Sequence, residues 1–296
     1  MLSVLIPIYN YNVVNLVQNL HKQLMQGNYA FEIICLDDAS ANEFVLANSK
    51  IETLEFTSLI KSTTNNGRTK TRQLLSQASK YDWLLFLDAD TMPVSETFIS
   101  QYLTAITEEY EAVFGGFSYH KKKPSSAYIL RWEYGRKKEE INASIRNTNP
   151  YKIIISANFL IKKSIFETLN SLVKHKVYGL DNYFGALLKN HNVKVLHINN
   201  PVYHLGLEKN EVYLNKLKSA AHTLLLLVKQ DKMKTHNNDL LSLFMFLKKT
   251  KLSFVLSKFY RAFNKQMEMN LCGNTPSIKI LQFYRISYMC YADQNS

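Results

Sequence analysis

The chain has 296 residues, 46% of them hydrophobic, and carries 36 Lys and Arg against 24 Asp and Glu, a net charge of +12. That length supports one large domain with an appendage, or two small domains, each able to bury a core. The three cysteines, at positions 35, 272 and 290, form neither a CxxC pair nor an even framework; this excludes a disulfide scaffold, argues against a zinc ribbon and makes a reducing compartment the default.

Residues 2–8 read as an apolar, β-branched strand closed by Tyr9 and Asn10, and residues 12–25 carry a helical stripe at 13, 16, 17, 20 and 24. A second buried strand, 31–36, ends in Asp37 and Asp38, followed by a weaker one at 58–61 and a helix from 68 to 78. Residues 83–87 again run into acid, and 112–117, 153–156 and 193–198 are later strand candidates. Strands and helices alternating at this spacing predict an α/β domain around a largely parallel sheet, with ligands bound beyond the carboxyl ends of the strands. From residue 213 the strand signals stop. Leu214, Leu217, Ala221, Leu224 and Val228 follow helical spacing. Farther on, Leu252, Val255, Leu256, Phe259 and Phe263 share one side of a helix, with Lys251, Lys258, Arg261 and Lys265 opposite. The expected division is therefore 1–212, itself split near 120, and a basic helical extension, 213–296. No basic leader precedes the first strand, and no run approaches the roughly 18 apolar residues of a spanning helix. A cytoplasmic location is expected.

Charge divides along the chain. Residues 1–120 carry 7 Lys and Arg against 13 Asp and Glu, whereas residues 121–296 carry 29 against 11. An acidic part suggests a place for cations and a basic part a surface for anions, with nucleic acid, anionic lipid and nucleotide phosphates as candidate partners.

Asp88-Ala89-Asp90 directly follows the strand 83–87. Two carboxylates around one small residue can face a shared site, and they repel unless a cation lies between them. Such hard oxygen ligands suit Mg²⁺ or Mn²⁺, completed by substrate phosphates. Alone, the triplet reads more simply as an acidic turn. Its company changes that reading. Pro7-Ile8-Tyr9-Asn10 closes the first strand, Asp37-Asp38-Ala39-Ser40 closes the second, and Asn65-Asn66-Gly67 precedes a helix with Arg72 five residues after the glycine. In this order, over roughly residues 1–205, the set resembles family 2 of the glycosyltransferases, whose nucleotide-binding half has the Rossmann-like GT-A fold.

The resemblance implies a metal-dependent, inverting transfer of a sugar from a nucleotide-sugar, UDP-linked by expectation, to a glycan or lipid-linked glycan acceptor in bacterial surface polysaccharide or glycolipid assembly. It implies that Pro7, Tyr9 and Asn10 line a nucleotide pocket and that Asp37 or Asp38, with Asp38 favoured, meets uracil or ribose. Asn65, Gly67 and Arg72 would shape the nucleotide-facing loop, Arg72 near phosphate or base. Asp88 and Ala89 would face ribose and sugar hydroxyls, and Asp90 would bind the Mn²⁺ or Mg²⁺ that bridges the diphosphate. The family's base sits in a Glu-Asp pair; Gly179-Leu180-Asp181 keeps the Asp and replaces the Glu with Leu180. Asp181, the only acid between Glu167 and Glu208, is thus the expected general base, although an Asp there also suits a helix N-cap. Asn158 would contact donor sugar, or else belong to a plain strand and basic turn. His204 would complete the metal shell, or be structural as most lone histidines are. His175 and His197 carry no such expectation.

For the basic extension the first expectation is a solvated face of helices packed on the catalytic domain. Attachment to an anionic membrane face, peripheral on the inner side of the cell membrane, is the second. Nucleic acid is the third and is set aside, because no recognition motif accompanies the charge. Two other function classes fit parts of the pattern: a sugar nucleotidyltransferase, disfavoured by the absence of a Gly-rich phosphate loop, and a non-catalytic binding protein for membrane or nucleic acid.

Overall fold

The computed structural model describes residues 1–173 and 176–295; His175 lies outside them. The first part follows the order β1 (Leu2–Ile8), α1 (Val14–Met25), β2 (Phe31–Asp37), α2 (Asn42–Asn48), β3 (Thr57–Lys61), α3 (Arg68–Ala78) and β4 (Trp83–Leu87). Then come β5 (Thr91–Pro93), α4 (Phe98–Ala105), β6 (Ala112–Phe114), β7 (Phe117–Ser118), α5 (Ile129–Lys138), α6 (Ala143–Asn147), β8 (Asn158–Lys162), α7 (Lys163–Ser171), α8 (Asp181–Asn190), β9 (Val195–His197) and β10 (Val202–His204). Four helices close the chain: α9 (Asn210–Lys229), α10 (Asp239–Lys249), α11 (Ser253–Leu271) and α12 (Ile278–Gln294).

The main sheet has seven strands in the order β3-β2-β1-β4-β8-β6-β9. Strands β3, β2, β1 and β4 run parallel, whereas β8 lies antiparallel to both β4 and β6. Buried on both faces, β1 and β2 are near-continuous apolar runs, as a covered parallel sheet requires. The chain leaves β1 for β2 and β3 on one side and returns to β4 on the other. The crevice beyond their carboxyl ends is therefore the switch point where such sheets bind ligands. A three-stranded sheet, β5-β10-β7, stands beside it and pairs His204 with Thr91, next to Asp90.

Two expected strands differ. Residues 112–117 break into β6 and β7 at Gly115 and Gly116; a Cβ on Gly115 would lie 2.3 Å from the Asn200 carbonyl, and Gly116 has a φ of +97°. Residues 153–156 form no strand. Ile154 and Ile155 are buried, but the backbone there turns toward the crevice: Ser156 O accepts from Arg72 at 2.8 Å and Ala157 O from the Asp88 amide at 3.1 Å.

The expected boundary at residue 213 falls inside the first turn of α9. The stripe of α9 packs as its spacing foretells: Leu214, Ala221 and Leu224 are buried, and the last two share one apolar cluster with Phe86, Phe159 and Leu188 of the α/β unit. The stripe of α11 does so only through Leu256, which packs against the same cluster; the buried residues of the helix are Ser257, Tyr260, Met267 and Leu271, while Leu252, Val255, Phe259 and Phe263 face outward.

His197, at the end of β9, carries a pH dependence. Its Nδ1 lies 2.8 Å from the Arg146 guanidinium, which can only donate, so Nε2–H donates to Pro150 O at 2.8 Å and the ring is neutral. Burial, opposed by the bond to Pro150 and helped by the Arg146 charge, lowers its pKa from 6.5 to about 4. The unfolded chain therefore binds the extra proton between these values. This contribution to stability is complete above pH 6.5 and lost as pH falls toward 4, by about 3 kcal/mol. Urea unfolding at the two ends of that window should show the loss, and His197→Gln should flatten the slope.

Candidate active site

The carboxyl ends of β1, β2 and β4 open onto a cavity of about 430 Å³, within the usual size of ligand sites. Pro7, Tyr9, Asp38, Asn65, Gly67, Asp88, Ala89 and Asp90 all line it, eight of the residues singled out in the sequence, joined by Tyr11, Thr71, Arg68 and Lys216. Its walls are held by the loops that follow the strands. Asn10 adopts a φ of +48°. Its amide donates to Ser40 Oγ and its side-chain oxygen accepts from the Ala41 amide, both at 2.8 Å, which ties the β1 loop to the β2 loop. Asn10 thus braces the rim and is not among the lining residues.

The two acids after β2 divide their tasks. Asp37 accepts from the Ser40 amide at 2.8 Å and shapes its own turn. Asp38 reaches across to the α3 loop, accepting at 2.8 Å from the Asn66 and Gly67 amides. Burial works to raise the Asp38 pKa, but these donors, with the Asn66 and Thr71 side chains, lower it overall and keep it ionised. Gly67 meets this need with a φ of +80°, a left-handed conformation that few other residues adopt at low cost.

Asp88 and Asp90 are also unlike one another. Asp88 is buried between two guanidiniums, Arg72 at 2.6 Å and Arg68 at 2.9 Å, which sit one helical turn apart on α3. Burial would raise its pKa, but the two arginines outweigh that and lower it. Arg72 is itself buried and bonds Asp88 and Ser156 O, so its charge is directed at Asp88. Half-exposed Arg68, absent from the sequence-based set, is the one that faces the open space. Among the described residues no side chain donates a hydrogen bond to Asp90, and burial followed by the Asp88 charge raises its pKa to about 6. His204 Nε2 lies 3.6 Å from its Oδ2. Burial lowers the His204 pKa to about 4, so the imidazole is neutral, and its Nδ1 has no partner among the described residues. A Cβ on Gly206 would lie 1.9 Å from Asp90 Oδ2, so only glycine lets that loop pass the carboxylate.

An under-neutralised carboxylate beside a neutral imidazole suits a divalent cation that takes its remaining ligands from phosphate and water. Among the described residues no three acidic, His or Cys side chains gather as a metal cage. Asp90 and His204 could therefore hold a cation only in partnership with a ligand.

Two further clefts meet the cavity at Arg68 and Lys216. One, of about 700 Å³, includes Asp90, Ser156, Tyr178, Asp181, His204 and Glu208; the other, of about 860 Å³, includes Arg72, Gly179 and Asp181. Asp181 opens α8 after an N-cap that is Leu180, and its carboxylate makes no hydrogen bond or ion pair among the described residues. The capping role is therefore not the one it performs. Leu180 packs against the main apolar cluster. Lys216 comes from α9, pairs with Glu208 and lies 5.3 Å from the Tyr178 ring centroid. No local pattern ties it to the cavity: Glu208 is 8 residues away in sequence, but Tyr178 is 38 and Asp90 is 126.

Asn158 is a correction. Its side chain is fully buried at the start of β8. The oxygen accepts from Tyr102 Oη at 2.6 Å, and the amide nitrogen donates to Gly116 O and Asn200 O, both at 2.9 Å. With donors and acceptor used inside the fold it has nothing to offer a sugar. It fastens the strand ends that frame the crevice.

A family model described as glycosyl transferase family 2 matches residues 3–169, more than half of the chain. A Haemophilus influenzae protein named as an uncharacterized glycosyltransferase is 36% identical over 92 residues, 30% of this chain and 29% of that protein, so the match spans under a third of the relative's length. Three solved structures share the fold. The mannosyltransferase PcManGT from Pyrobaculum calidifontis, in complex with GDP-Man and Mn²⁺, aligns with a TM-score of 0.52 at 12% identity over 77% of this chain and 64% of its own. S. aureus TarS 1–349 with UDP-GlcNAc gives 0.51 at 13% identity over 99% and 91%. Glucosyl-3-phosphoglycerate synthase from Mycobacterium tuberculosis with Mn²⁺, UDP and glucosyl-3-phosphoglycerate gives 0.51 at 13% over 76% and 78%. With its parallel sheet, the acids at its strand ends and this match, the chain belongs to glycosyl transferase family 2 and has the GT-A fold.

Proposed function

We propose that the protein is an inverting, metal-dependent glycosyltransferase that moves a sugar from a nucleotide-sugar, UDP-linked, to a hydroxyl of a glycan or lipid-linked glycan. The observation that carries this is the gathering of Pro7, Tyr9, Asp38, Asn65, Gly67, Asp88, Ala89 and Asp90 on one cavity, with Asp181 on the two clefts that join it. Exposed Tyr9 offers a ring to the base, and Asp38 an ionised acceptor to base or ribose. Asp88, already neutralised, offers its remaining lone pairs to hydroxyls.

Asp181 takes the proton from the acceptor hydroxyl as its oxygen attacks the anomeric carbon, and the bond to the nucleoside diphosphate breaks on the opposite face. Arg68 and Lys216 stand where the leaving diphosphate gathers charge, and preorganised cations are worth most at that moment. When bound by Asp90 and His204 with diphosphate oxygens, Mn²⁺ or Mg²⁺ supplies further neutralisation of that charge. Bacterial surface polysaccharide or glycolipid assembly is the setting this chemistry fits.

Incubation with UDP-, GDP- and dTDP-sugars and Mn²⁺ tests the reading. A UDP-sugar is expected to bind and to hydrolyse slowly to UDP and free sugar, and chelation should stop both. Release of pyrophosphate would mark a nucleotidyltransferase instead, and no binding by any member of the panel would overturn the proposal.

A further inference from the structure

The α11 stripe is the largest sequence pattern that the catalytic reading leaves unused. Leu252, Val255, Phe259 and Phe263 follow one another at helical spacing and are each between 38% and 61% exposed. They lie about a quarter turn from the side of α11 that packs on the protein. Phe259 lies against Phe263 in a tilted contact with centroids 4.6 Å apart and meets Phe283 of α12 edge-on at 4.9 Å. The exposed rings therefore form one continuous face across two helices. A soluble helix turns such a stripe inward, as α9 does; α11 turns out all of it but Leu256.

The charge around this face has one sign. Residues 240–267 hold six Lys and Arg and no acid. Lys248 pairs with Asp293, whereas Lys249, Lys251, Lys258, Arg261 and Lys265 form no ion pair among the described residues. Lys251 and Lys258 border the stripe on its outer side, and exposed Lys279 sits one turn before Phe283 on α12. Flexible lysine stems can lie along an apolar surface with the ammonium reaching outward, the arrangement expected at a headgroup boundary. A second copy fits less well: an isologous contact through this face would bring each cationic row against its own image. No helix of the described residues is long and apolar enough to cross a membrane, so the face would lie on a bilayer and not span it.

We propose that the α11–α12 face docks on an anionic lipid surface, with Phe259, Phe263 and Phe283 entering the acyl boundary and Lys251, Lys258 and Lys279 meeting lipid headgroups. It deepens the lipid-linked acceptor of the proposed function, but the docking surface stands on its own geometry and its test needs no turnover.

The experiment is flotation of the full chain with phosphatidylcholine vesicles, with and without phosphatidylglycerol. Wild-type protein should float with the anionic vesicles, release in high salt and stay behind with the neutral ones. The double variant Phe259→Ser, Phe263→Ser and the double variant Lys251→Glu, Lys258→Glu should each lose at least about tenfold in vesicle partitioning. UDP binding with Mn²⁺ and the melting temperature report that both variants remain folded. Absence of wild-type flotation, equal flotation by both variants, or a wild-type dimer that the Phe→Ser variant dissociates would each overturn the proposal. Failure of the transferase reading would leave flotation unchanged, so the two ideas fall separately.

Discussion

Replacing Asp181 with asparagine should leave UDP and Mn²⁺ binding intact and cut sugar transfer by about 10²–10⁴-fold, the usual contribution of a positioned base. The carboxylate lines the two further clefts but not the 430 Å³ cavity at the strand ends. It has no hydrogen bond to lose among the described residues, so Asn, equal in size and neutral, leaves the local structure unchanged. Titration calorimetry with UDP and single-turnover transfer at saturating acceptor measure the two halves separately. Unchanged transfer would mean that another group takes the proton. A loss of UDP affinity as large as the loss of rate would mean that Asp181 serves the donor.

Asp90→Ala should act on the other half of the reaction. Removing the proposed metal ligand should lower Mn²⁺-dependent UDP affinity by at least about 10²-fold, since even outer-shell partners of a metal cost 10–100-fold. The protein itself should not suffer. Asp90 is held ionised against burial and against the Asp88 charge, with its pKa raised to about 6, so its deletion removes repulsion. The melting temperature of the metal-free variant should therefore match or exceed that of the parent. Calorimetry that finds UDP affinity unchanged in Mn²⁺ would remove Asp90 from the metal site.

The strand ends were legible because their code is local. An apolar run that stops at Asp37-Asp38 or at Asp88 states both the strand and where it opens, and the order of the motifs placed them around one crevice. Arg72 was legible as a residue but not as a bond. That it turns to Asp88 and leaves the open side to Arg68 depends on which turn of α3 faces β4. Lys216 was missed for a related reason, since its relation to the cavity exists only after α9 meets the strand ends; Tyr11, two residues past Tyr9 in the β1 loop, lay within the same local code. Asn158 was misread because a polar residue amid apolar ones signals either a site or a buried hub of hydrogen bonds, and the partners Tyr102, Gly116 and Asn200 lie 42 to 56 residues away. Residues 153–156 were misread because burial of isoleucines says nothing of where their carbonyls point. The α11 stripe was read correctly as a pattern, yet periodicity does not say which way the apolar side turns.

The close passage of Gly179 beside α9 has a consequence for how the chain can be divided. A Cβ on Gly179 would lie 2.8 Å from the Ala220 Cβ, two residues from Asp181 in one chain segment and four from Lys216 in the other. The segment that carries Asp181 therefore rests on a helix encoded after the apparent end of the α/β unit. Modularity in the sequence is not modularity in the folded protein here. A chain ended at residue 212 would lose Lys216 and the packing of Ala220 against Gly179 together.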